Sequence, residues 1–122
     1  MLEAYSLNTA VGANAAIPFN NVTLEKGCTA RFAGTGTIQL NKCGVYMVAF
    51  DAVAGTATTA QLYKDGVAQA QAQSTGTALS FVTLVQVDRN NCGCCGSPVN
   101  LRVMNTTAGT FTNANIAVTK VC

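Results

Sequence analysis

The chain contains no histidine and no tryptophan, and only 10% of its 122 residues are charged. Without His it lacks the commonest general base and the commonest nitrogen ligand for metals. Five Asp and Glu residues leave little material for carboxylate chemistry. The seven Lys and Arg residues give a net charge of +2 and are scattered, so no basic stripe is present for nucleic acid. The missing Trp removes the commonest sugar-stacking platform. No segment approaches the roughly 18 to 20 apolar residues of a membrane-spanning helix. Residues 1–9 carry Glu3 and no basic stretch, so they do not read as a secretory signal peptide. The expectation is a protein made in the cytoplasm, with no membrane or nucleic-acid partner. An enzyme is not expected, and neither is a cofactor.

What is present is apolar: 49% of residues are hydrophobic, which excludes a disordered chain. The length suits one domain, residues 1–122, with a single core. A typical soluble domain is about 25% charged, so the surface here is either neutral and polar or partly covered by copies of the chain. Thr, Val, Ala, Gly and Asn dominate, and the apolar period is two rather than 3.6. Turn signals recur every 8 to 12 residues or so, the spacing of a sandwich or barrel. Strands are predicted near Glu3–Asn8, Ala16–Phe19, Cys28–Ala33, Gly36–Leu40, Val45–Val53, Ala57–Lys64, Val67–Gln73, Ala78–Val87, Val99–Asn105 and Phe111–Val121. Turns are predicted at Gly12, Asn20-Asn21, Gly34, Asn41 to Gly44, Gly55, Asp65-Gly66, Gly76, Cys92 to Pro98 and Gly109. Asp65-Gly66 is the clearest, since a two-residue hairpin needs positive φ at both positions.

Two segments are apolar on both faces: Val45 to Phe50, and Leu79 to Val85 with small polar interruptions. A half-exposed strand would alternate apolar with polar. One face of each meets the opposite sheet, and the other is expected to meet another subunit rather than a loop. Tyr5, Phe19, Phe32, Tyr46, Phe50, Phe81 and Phe111 are read as core or subunit-contact residues.

The candidates for chemistry are few. Cys28, Cys43, Cys92, Cys94, Cys95 and Cys122 form disulfides, remain free, or hold a metal. Zinc prefers four Cys or His ligands, and although Cys92 and Cys95 have the usual spacing, no matching second pair exists, so no metal is assigned. Disulfides within or between subunits are the simpler reading, and sequence cannot choose the pairing. With no His beside them, a nucleophilic or redox role lacks its base. Asp51, Asp65 and Asp88 lie on separate segments and read as solvated acids rather than a calcium site. Gly34-Thr35-Gly36 lacks the Lys and the following helix of a phosphate loop and reads as a hairpin turn. The sequons at Asn21 and Asn105 read as ordinary loop and strand-end residues.

The order of these signals resembles a known family. Gly44-Val45-Tyr46-Met47-Val48-Ala49-Phe50 is similar to the "G-x-Y-x-[VI]-x-F" strand of the tumour-necrosis-factor/complement-like jelly roll. Leu62-Tyr63-Lys64-Asp65-Gly66 is similar to its "L-x-x-[ND]-G" hairpin, and the last strand runs to Val121. The bacterial and phage branch, found in spore-surface and virion proteins, is the nearest in character; Cys94-Cys95 followed by Val99 to Thr107 resembles short phage structural proteins of Gram-positive hosts. The resemblance implies an all-β fold, a single jelly-roll sandwich of roughly eight to ten short antiparallel strands. It also implies a homotrimer packed about a threefold axis through one sheet's outer face. Tyr46, Val48, Phe50, Phe81, Val82 and Leu84 are the expected interface. The function implied is a non-enzymatic virion structural protein, decorating a capsid or forming part of a head or tail fibre, with a capsid or fibre protein as partner and the virion surface as location. Two alternatives stay open: a module binding a host receptor or glycan, and a disulfide-linked fibre on a cell or spore surface.

Overall fold

A computed structural model describes residues 1–27, 30–34, 36–87 and 99–121. Among these residues every regular element is a strand: β1 (Leu2–Val11), β2 (Ala15–Ala16), β3 (Asn21–Glu25), β4 (Ala30–Gly34), β5 (Thr37–Leu40), β6 (Gly44–Lys64), β7 (Val67–Val87), β8 (Val99–Asn105) and β9 (Gly109–Lys120). All the pairings are antiparallel.

The two 21-residue strands organise the molecule. Over its first half β6 pairs with β9, from Tyr46 against Lys120 to Ala54 against Phe111. Over its second half it pairs with β8, from Ala60 against Asn105 to Lys64 against Leu101. β7 follows β6 along its whole length on the other side. The β6–β7 hairpin therefore belongs to two layers. The first layer is β3-β1-β9 with the early half of β6 and the late half of β7. The second is β4-β5-β8 with the late half of β6 and the early half of β7. This is a jelly roll.

The sequence predicts turns at Gly55 and Gly76, but the chain does not reverse there. The β6–β7 ladder slips between Val53 and Thr58 and then resumes, so both strands bend from one layer to the other without ending. Gly76 adopts φ +129°, a backbone that side chains other than glycine avoid. The true reversal is at Asp65 (φ +50°) and Gly66 (φ +82°), the two positive values of the tight hairpin turn.

A second difference lies at Ala16–Phe19, where only Ala15–Ala16 is strand and pairs with β8. Ile17 N–H still donates to the Val103 carbonyl at 2.9 Å, but Pro18 has no donor. Phe19 then turns to φ +45°, and Asn20 N–H donates to Ser6 Oγ at 2.8 Å. The segment is a crossing from the β8 layer to the β1 layer. Phe19 plugs it, fully buried and edge-on to Phe50 with centroids 6.2 Å apart. The chain then enters β3 at Asn21, where the sequence predicts a turn.

Alternate residues of both layers point inward to one core, including Val48, Phe50, Phe81 and Ile116 from the first and Ile38, Leu62, Leu101 and Val103 from the second. Buried Asn105 closes the end near the bends. Its Nδ2 donates to the Thr107 carbonyl at 2.7 Å and the Gly12 carbonyl at 3.3 Å, and its Oδ1 accepts from Thr58 Oγ1. No helix among the described residues is long and apolar enough to cross a membrane.

Candidate functional site

Strand alternation sorts the residues expected at a subunit interface onto two faces. Phe50 pairs with Phe81, Val48 with Thr83 and Tyr46 with Val85. These point inward. Tyr46 and Val48 are 0% exposed, Phe50 2% and Phe81 8%, and Phe50 stacks on Phe81 at 5.1 Å. The expectation that these four contact another subunit is therefore corrected: the chain's own core already covers them. Val82 and Leu84, one residue out of phase, point outward and are 67% and 61% exposed.

The outer face of the first layer is accordingly apolar. Met47 pairs with Leu84, Ala49 with Val82 and Val53 with Ala78 across β6 and β7. Ala117 of β9 lies beside Ala49. Met47, Val53 and Leu7 are exposed as well. The polar members of this face include Asp51, Ser80 and Asn115, and Asn115 Oδ1 is buried without a hydrogen bond. The second face of each doubly apolar strand thus lies open in the single chain.

Tyr46 sits beneath this face. Its hydroxyl donates to the Lys42 carbonyl at 2.7 Å, and burial raises its pKa above the ordinary tyrosine value.

The second layer carries a different surface. A cavity of about 490 Å³ is lined by Tyr63, Asp65, Gly66, Asn100, Arg102 and Met104. Along β8 the residues Val99, Leu101 and Val103 are buried, while Asn100, Arg102 and Met104 alternate outward. Tyr63 pairs with Arg102 across β6 and β8. The turn locks the cavity floor in both directions: Asp65 N–H donates to the Asn100 carbonyl at 2.8 Å, and Asn100 N–H donates to Asp65 Oδ1 at 2.8 Å. Arg102 Nε donates to Thr37 Oγ1 at 2.8 Å. Sequence reasoning reads Tyr63 as a hairpin residue and Asp65 as a hairpin residue and solvated acid, and it assigns no role to Asn100, Arg102 or Met104. The signal was the strict alternation of β8, which places those three on one face.

Of the cysteines, Cys43 is disulfide-bonded. Cys28, Cys92, Cys94, Cys95 and Cys122 lie outside the described residues, as does Asp88. Asp51 is on the outer face of β6 and Asp65 in the hairpin turn. No group of three His, Cys, Asp or Glu residues suited to a metal occurs among the described residues.

No protein-family model matches the sequence, and no curated protein matches it either. Solved structures do match its fold. The globular domain of zebrafish complement 1qA protein is similar with a TM-score of 0.76 at 10% identity, over 99% of this chain and 96% of that one. The Eiger TNF of S. frugiperda gives 0.73 at 11% identity, over 99% and 92%. The vertex protein P5 of PRD1 gives 0.69 at 13% identity, over 99% and 96%. The fold is the tumour-necrosis-factor/complement-like jelly roll expected from the two motif strands.

Proposed function

We propose that this chain is a non-enzymatic structural module of a virion surface that works as a homotrimer, a capsid decoration or part of a head or tail fibre. The observation that carries the reading is the open apolar face formed by Met47, Val53, Val82 and Leu84 on the first layer. Met47, Leu84, Ala49 and Val82 are contiguous across the two strands, with Val53 beyond the Asp51–Ser80 pair; contiguous apolar surface marks an association site, and the low charge of the chain gives little to keep it in water. A second copy is the proposed occupant. It would bury the four side chains. Closed rotational symmetry then leaves no face open to further growth. The likeness in fold to a virion vertex protein supports the virion setting.

The mechanism is assembly. Each chain brings a finished core to the axis, so association adds burial without refolding, and the outer face of the second layer stays available to solvent or to a partner. The bond at Cys43 belongs to the folded chain, which favours association through apolar contact over a fibre linked through that residue. The test is molar mass by light scattering, with and without reductant. Three times the 12.5 kDa chain mass is expected in both. A monomer in both would overturn the reading, and large species that collapse on reduction would replace it with the disulfide-linked fibre. An antibody against the chain is expected to decorate virions in immuno-electron microscopy. Label confined to host cells or spores would overturn the virion setting.

A further inference from the structure

We propose that the cavity on the second layer is a binding site for a neutral saccharide of one or two rings. Its volume of about 490 Å³ falls within the roughly 300 to 1,000 Å³ of small-ligand sites. Its polar groups are fixed in place yet incompletely used. Asn100 is held at both its N–H and its carbonyl by Asp65, which fixes the cavity floor. Arg102 uses Nε on Thr37, and its two terminal nitrogens have no partner among the described residues. Asp65 has one carboxylate oxygen occupied by Asn100 N–H, and neither its other oxygen nor the Tyr63 hydroxyl has a protein partner among the described residues.

Asp65 and Arg102 are not paired with each other. The cavity therefore holds one positive and one negative charge, both facing solvent, and their sum is zero. An anionic ligand would satisfy Arg102 and be repelled by Asp65. A cationic one would meet the reverse. A neutral polyol answers both, because each hydroxyl donates and accepts: adjacent hydroxyls donate to Asp65 and accept from Arg102. The Tyr63 ring and the Met104 side chain offer apolar wall to the C–H face of a sugar ring.

This inference gives a ligand class to a surface on the layer opposite the apolar face, and it stands or falls independently of trimer formation. Backbone amide shifts would be followed by NMR as methyl α-glucoside, methyl β-galactoside, N-acetylglucosamine and, separately, inorganic phosphate are added. At least one sugar is expected to saturate shifts at Tyr63, Gly66, Asn100 and Arg102, with a dissociation constant on the order of millimolar. Asp65→Asn keeps the turn, because asparagine tolerates the left-handed backbone found there. Arg102→Gln removes the guanidinium from an exposed position. Each is expected to weaken binding at least about tenfold, the loss of a hydrogen bond to a charged group, with the folded circular-dichroism spectrum kept. If either fails to fold, Tyr63→Phe removes only a hydroxyl and is expected to weaken binding in the same direction. No shift with any sugar up to about 10 mM would overturn the proposal. So would saturation by phosphate alone, or full affinity in the folded variants.

Discussion

Tyr46 shows how one buried group couples the fold to pH. Its ring is fully enclosed, and its hydroxyl donates to the Lys42 carbonyl at 2.7 Å. Burial disfavours the phenolate, so the native pKa lies above the 10.0 of the unfolded side chain. Between those two values the folded chain keeps a proton that the unfolded chain has lost. Stability then falls as pH rises. The contribution is complete below about pH 10 and is lost as pH climbs through the raised native value. Urea unfolding from neutral to strongly alkaline pH is expected to show this decline for the wild type and a shallower one for Tyr46→Phe. Identical slopes for the two chains would mean that Tyr46 does not carry it. Single residues were unevenly legible in the sequence. Asp65-Gly66 could be read because a two-residue turn demands its own chemistry. Asn105 could not, since its sequon looks like a surface feature while its role is a set of buried bonds to Thr58, Thr107 and Gly12. The cavity residues were hidden for a related reason. Asn100 and Arg102 are ordinary outward residues of a strand until the hairpin turn of another strand arrives beside them.

At the scale of the element, the two faces of the β6–β7 hairpin predict opposite outcomes for the same change. Val48 is 0% exposed and Val82 is 67% exposed. Val48→Asp places a carboxylate in the core with no partner, a cost of several kcal/mol by the roughly 3–5 kcal/mol standard of an uncompensated buried charge. Loss of the folded circular-dichroism spectrum is expected. Val82→Asp on the outer face is expected to keep that spectrum and abolish association, a folded chain at monomer mass in light scattering. A folded Val48→Asp chain would contradict the assignment of faces, and a trimeric Val82→Asp chain would contradict the interface. Doubly apolar strands announce that both faces are covered, but they do not say which face belongs to the chain's own core. That depends on the pairing partner, which periodicity does not contain. Glycine has the same ambiguity: Gly55 and Gly76 mark a change of direction, and only the resumed pairing of Thr58 with Gly76 distinguishes a bend from a reversal. Strand existence was legible throughout most of the chain. Length was not, because a strand crossing two layers looks locally like two strands.

The whole molecule joins a complete core to one uncovered apolar face, and this has a thermodynamic consequence. If the face is covered only by other copies, the folded state is a trimer and the unfolded state three separate chains. Mass action then makes apparent stability depend on concentration. For a three-to-one dissociation, each tenfold increase in concentration adds twice RT ln 10 per trimer, about 0.9 kcal/mol per chain. For a domain of this length that corresponds to a rise of several degrees in thermal midpoint. Scanning the wild type over a hundredfold range is expected to give a midpoint that climbs steadily. The Val82→Asp chain is expected to give a lower one that does not move. The contrast separates two explanations of the low charge. A surface that is merely neutral and polar would leave both midpoints independent of concentration. A face reserved for copies of the chain ties the stability of the wild type to how many copies are present, so that a locally high concentration would add to the stability the core already supplies.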